Sequence, residues 1–107
     1  MTVGIARITL YLAGSHSLKE KRMVVRRVKD LVRDKFNVSI AEVADNDIWQ
    51  RAVMGIAVVG NDHRFVESAL DEVLSFVRSK AEVTGEEREL QSFSATELGK
   101  DLRHWEG

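Results

Sequence analysis

The first dozen residues alternate with period two. Val3, Ile5, Arg7, Thr9 and Tyr11 fall on one side of an extended chain, and Gly4, Ala6, Ile8, Leu10 and Leu12 fall on the other. This predicts a strand from Thr2 to Ala13, and apolar residues on both sides place it in the middle of a sheet. Gly14-Ser15-His16 is the turn that follows. The period then changes to 3.6. Leu18, Val24, Val25, Val28, Leu31, Val32 and Phe36 recur at spacings of three, four and seven, predicting a helix from Ser17 to Phe36. Ser17 and Glu20 form a capping box at its start, and Asn37 reads as a left-handed stop at its end.

Asn37 to Ala44 predicts a second strand, and Asp45-Asn46-Asp47 is turn chemistry. Arg51 to Gly60 predicts a third strand, again apolar on both sides, so the short connection makes an antiparallel hairpin with Trp49 near its end. Asn61 or Asp62 caps a second helix to about Lys80. Its core stripe is Phe65 or Val66, then Ala69, Leu70, Val73, Leu74 and Val77. Glu67, Asp71, Glu72 and Arg78 read as a solvated face. Ala81 to Phe93 is a charged strand suited to a sheet edge, with Gly85 marking a bulge. The order β-α-β-β-α-β predicts an α+β, ferredoxin-like fold: a four-stranded antiparallel sheet with two helices on one face and the first and third strands central. Residues 1–94 form this domain. Residues 95–107 are a C-terminal tail in which Leu98, Leu102 and Trp105 keep helical spacing around Gly99. The tail is either a short docked helix or a frayed end.

Composition changes this picture in few places. At 107 residues and 44% hydrophobic the chain is one domain with enough apolar mass for a core. The absence of cysteine excludes disulfides and thiolate chemistry and fits a cytoplasmic protein. No apolar run is long enough to span a membrane, and the N-terminus lacks a signal-peptide layout. A net charge of −1 excludes a generally basic nucleic-acid binder.

Locally the charge is uneven. Residues 17–36 hold eight cations and three anions, a net of +5, so the other 87 residues carry −6. Lys19, Arg22, Arg26, Lys29 and Arg33 recur at three and four, a stripe about 21 Å long beside the apolar one. Two readings stand. The stripe is a row of phosphate contacts for structured RNA, or it is a solvated face with local pairs such as Arg26 with Asp30, each contributing only about 0.2–0.5 kcal/mol.

The runs Ser17-Leu18-Lys19-Glu20-Lys21-Arg22, Phe36-Asn37-Val38-Ser39-Ile40-Ala41-Glu42-Val43 and Trp49-Gln50-Arg51-Ala52 resemble the YlxP-like family of uncharacterised bacterial proteins. The resemblance covers roughly residues 3–93. It implies a ferredoxin-like fold. Genes of that family often lie beside those for a translation initiation factor and a ribosome-binding factor, which implies a link to translation or ribosome maturation. The family has no established active site, so no catalytic residue is carried over.

Other candidate sites are weaker. Ser15, His16, Ser17 and Lys19 could hold an anion at the helix start, although an ordinary cap explains the same residues. Trp49, Arg51 and Trp105 are candidate partner contacts, with Trp49 also readable as a plug at the hairpin end. The open sheet face lacks the aromatics that base stacking needs, Tyr11 excepted, so it is better suited to a homo-oligomer such as a dimer, or to packing of the tail. Asp45, Asp47 and Glu42 fail the calcium-loop pattern, and His16, His63 and His104 are not at zinc spacing, so no metal is expected. No nucleophile context supports catalysis, and no cofactor is expected. The leading expectation is a non-enzymatic accessory protein contacting RNA or ribosomal subunits. Its rival is a protein-interaction module.

Overall fold

A computed structural model describes residues 1–94; the tail positions Leu98, Leu102 and Trp105 lie outside the described residues. The elements are β1 (Thr2–Tyr11), α1 (Leu18–Lys35), β2 (Ser39–Ala44), β3 (Arg51–Gly60), α2 (His63–Lys80) and β4 (Glu82–Ser92). The sheet order is β2-β3-β1-β4, with every neighbouring pair antiparallel. This is the ferredoxin-like α+β arrangement, with β1 and β3 central and β4 at an edge.

Alternation decides which side of each strand is buried. Ala6, Ile8 and Leu10 of β1 join Ala52, Met54, Ile56 and Val58 of β3 beneath Val25, Val28 and Val32 of α1 and Val66, Leu70, Val73, Leu74 and Val77 of α2. Gly4 sets the approach of α2. A Cβ there would lie 2.5 Å from Val66 Cγ1 and 2.9 Å from Leu70 Cδ1. Two bulges bend the edge strands. One lies opposite Thr9 and Leu10, next to Gly85, and the other places Val43 between Glu42 and Ala44.

The solvated face expected on α2 is partly tied down. Arg88 of β4 donates to Asp71 at 2.6 Å and to Glu86 at 2.8 Å, and Arg78 donates to Glu86 as well. Hydrogen bonds to Glu86 and then Asp71 raise the Arg88 pKa above its ordinary value. A raised pKa keeps this contribution to stability complete until the pH rises through the guanidinium range.

Both helices are capped at their N-termini, but the capping box forms only in part, since the Glu20 carboxylate accepts from the His16 N–H and not from the Ser17 N–H. Ser17 Oγ accepts from Glu20 N–H, and Asp62 Oδ1 accepts from Phe65 N–H. The end of α1 differs from expectation. Phe36 is extended, with φ −128°, and its N–H donates to the Val32 carbonyl. Asn37 is therefore not left-handed; among the described non-glycine residues only Asp45, at φ 58°, has that conformation. The chain leaves α1 directly into β2 because Phe36 packs edge-on against Phe76 of α2, with ring centroids 5.5 Å apart. Of the α2 alternatives, Val66 is buried and Phe65 is exposed.

Candidate nucleic-acid interface

The sequence of α1 winds two stripes, one apolar and one basic, around one helix. Val25, Val28 and Val32 face the sheet, while Val24, expected in the core, is exposed at the margin. Lys19, Arg22, Arg26 and Arg33 lie on the outer surface, and Lys29 is half-buried beside them. Arg33 also donates to the Ile40 carbonyl at 3.0 Å, covering part of the edge strand β2. A shallow groove of about 620 Å³ runs along this surface past Lys19, Arg22, Arg26 and Arg27.

Most arginines outside α1 are paired, Arg64 of α2 being the exception among the described residues. Arg7, Arg51, Arg78 and Arg88 each have a carboxylate partner within 3 Å. Among the described residues, none of Lys19, Arg22, Arg26, Arg27, Lys29 and Arg33 has a carboxylate within the 4.0 Å ion-pair distance. The local pairing expected between Arg26 and Asp30 does not form at that distance. The stripe is a row of cations without close ion pairs, although Asp30 and Asp34 line the same groove.

One cation leaves the count. Lys21 is 1% exposed, and its ammonium lies 2.9 Å from Glu42 Oε2 of β2 while donating to the Asp45 carbonyl. Glu42 Oε2 is sealed from solvent and forms no hydrogen bond of good geometry, so the contact is an ion pair by proximity. With Lys21 internal, residues 17–36 keep seven cations against three anions at the surface, a net of +4 rather than +5. The sequence reading missed Lys21 and Glu42 as a pair. The signal was present: Lys21 precedes Val25 by four residues and Val28 by seven, which is the core stripe.

The other candidates are dispersed. At the start of α1 the His16 N–H donates to Glu20 Oε2 at 2.5 Å, and Ser15 is buried with its hydroxyl donating to the Ser17 carbonyl at 3.3 Å. The Glu20 carboxylate thus takes the place in front of the helix that a bound anion would need. Arg51 donates to Asp45 Oδ2 at 2.8 Å, and Trp49 is 52% exposed, so it plugs nothing. Among the described residues no three His, Asp or Glu side chains converge as metal ligands would. Among those residues, no helix is long and apolar enough to cross a membrane.

Fold and surface together define a ferredoxin-like α+β protein with one strongly basic helix. The chain belongs to the family described as "Protein of unknown function (DUF503)", which matches residues 3–89. It is similar to "Uncharacterized protein YlxP" of Bacillus subtilis (strain 168), at 41% identity over 81 residues, 76% of this chain and 88% of that one. Two solved structures are similar at the level of fold. One is a de novo designed protein with ferredoxin fold, 16% identical over 87% of each chain, with a TM-score of 0.48. The other is a putative chlorite dismutase, 12% identical over 94% of this chain and 48% of that one, with a TM-score of 0.49.

Proposed function

We propose that this protein is a non-catalytic accessory factor that contacts structured RNA, ribosomal RNA above all, through the outer surface of α1. The observation that carries the reading is the stripe without close ion pairs. Lys19, Arg22 and Arg26 are exposed and unpaired among the described residues, whereas Arg7, Arg51, Arg78 and Arg88 are paired; of the described arginines outside α1, Arg64 alone is not. A helix face that serves only solubility gains from interspersed carboxylates. One that meets phosphates keeps its cations free, because each contact releases a condensed counterion. Phosphate contacts position a protein and read little sequence, which suits a surface without base-stacking aromatics. The link to translation implied by the family resemblance points the same way.

The test is co-sedimentation with ribosomal subunits across a salt series. The unmodified protein is compared with a Lys19→Glu, Arg22→Glu, Arg26→Glu variant shown to be folded. Arg33 stays unchanged because it also holds the Ile40 carbonyl. The unmodified protein is expected to pellet at low salt and to be released as salt rises, while the variant stays in solution. Equal behaviour of the two proteins rejects the stripe as the contact.

A further inference from the structure

The open face of the sheet, opposite the helices, is a second surface with its own chemistry. Ile5, Tyr11, Val43 and Val59 are 48%, 43%, 54% and 59% exposed on it, large apolar side chains left in water. Between them the surface is flat. Ala41, Gly55 and Ala57 carry little or no side chain, and the bulged Val43 leans over Gly55 so that a Cβ there would meet Val43 Cγ1 at 2.8 Å. A shallow, largely apolar groove of about 590 Å³ crosses this region from β2 to β4.

The charges on the face are few and of both signs. Arg7 Nη2 of β1 donates to both carboxylate oxygens of Glu87 of β4, at 2.8 and 2.9 Å. Glu89 stands opposite Ile5 and Arg51 opposite Tyr11. Glu82 also stands opposite Tyr11, so two cations share the face with three carboxylates, a net of −1 that disfavours a polyanion. Both signs on one apolar surface are what a contact between identical surfaces needs. A two-fold axis presents the same patch to itself, and each cation then has a carboxylate of the other copy available.

The area is sufficient. Three strands of ten or eleven residues and one of six cover about 550–600 Å² at the usual strand spacing and rise. Pairing two such faces removes about 1,100–1,200 Å², just above the roughly 1,000 Å² that a specific interface requires. Sheet-on-sheet packing also buries the remaining apolar side of β1 and β3, giving four layers in the order helix, sheet, sheet, helix.

We infer that the open face of the β2-β3-β1-β4 sheet is the contact between two copies of this chain, with Ile5, Val43, Ala57 and Val59 buried and Arg7 and Glu87 near its middle. The inference does not rest on RNA binding. It leaves the basic side of each α1 facing outward.

Sedimentation equilibrium of the full chain across a concentration series tests it. The expected mass is twice the 12.1 kDa of one chain. Two substitutions on the face, Ala57→Arg and Arg7→Glu, are each expected to weaken association by about a hundredfold or more, since each sets bulk or like charge against its counterpart. Met23→Lys, on exposed α1, is expected to leave the mass unchanged. Arg7→Glu keeps the inference testable should Ala57→Arg fail to fold, because Arg7 is exposed and makes no core contact. A monomeric full chain overturns the inference, as does a dimer insensitive to both face substitutions. A monomer that dimerises only when Leu98 and Trp105 are both changed to Asp also overturns it, because the chain's own tail then covers the face.

Discussion

Lys21 shows how one side chain can be misplaced by counting charge. It stands among cations in the sequence, yet the core stripe passes through its position, and its ammonium ends between Glu42 and the Asp45 carbonyl. That contact joins the start of α1 to the hairpin between β2 and β3. Asp45 is also the residue with the left-handed backbone, so the ammonium holds the turn where the chain is least relaxed. Removing one member of such a pair leaves the other charge buried alone. Lys21→Ala is expected to destabilise the fold by about 3–5 kcal/mol, whereas Lys21→Met with Glu42→Leu recovers most of the loss. Urea unfolding of the single and double variants measures both; a mild single variant would mean that Glu42 reaches water. Gly4 gives a second expectation at this scale. Gly4→Ala drives a methyl into Val66 and Leu70, and is expected to cost about 1–3 kcal/mol as overpacking in the same unfolding experiment.

At the scale of elements, periodicity was a sufficient guide to fold but not to site. Period two in β1 and β3 and period 3.6 in α1 and α2 are local consequences of backbone geometry, so those elements were legible from the sequence alone. The Asn37 stop, the Trp49 plug and the Arg26–Asp30 pair were not. None is fixed by the local pattern: Phe76 lies beneath Phe36, the hairpin end leaves Trp49 in water, and Arg26 and Asp30 stand beyond ion-pair distance. The stripe itself was legible because it lies on one helix, but its lack of partners was not. That lack has a measurable consequence. Each phosphate contact contributes about 0.7–0.9 to the slope of log affinity against log salt. Arg22→Ala and Arg26→Ala are each expected to lower that slope by about this amount and to weaken binding evenly across RNA sequences. Fluorescence anisotropy with two unrelated structured RNAs measures slope and evenness together. Loss confined to one RNA would indicate base reading instead.

For the whole molecule, the basic surface of α1 and the apolar open sheet lie on opposite sides of a single core, to which, among the described residues, both helices and the sheet contribute. The last strand is sealed to the first by the Phe93 N–H donating to the Met1 carbonyl at 2.8 Å and the Met1 ammonium donating to the Phe93 carbonyl at 3.3 Å. A chain ending at Ser94 is therefore expected to unfold cooperatively, with a midpoint close to that of the full chain in thermal melts followed by circular dichroism. A broad, non-cooperative melt would show that residues 95–107 belong to the domain. The opposition of the two surfaces also makes them separable. Ala57→Arg should yield monomers whose intrinsic affinity for RNA is unchanged, because α1 and the sheet face share no side chain. Lys19→Glu, Arg22→Glu, Arg26→Glu should abolish RNA binding and leave the dimer intact. If dimer and RNA contact are lost together in either variant, the two surfaces are one functional unit. The core between them would then transmit a change that its close packing otherwise resists.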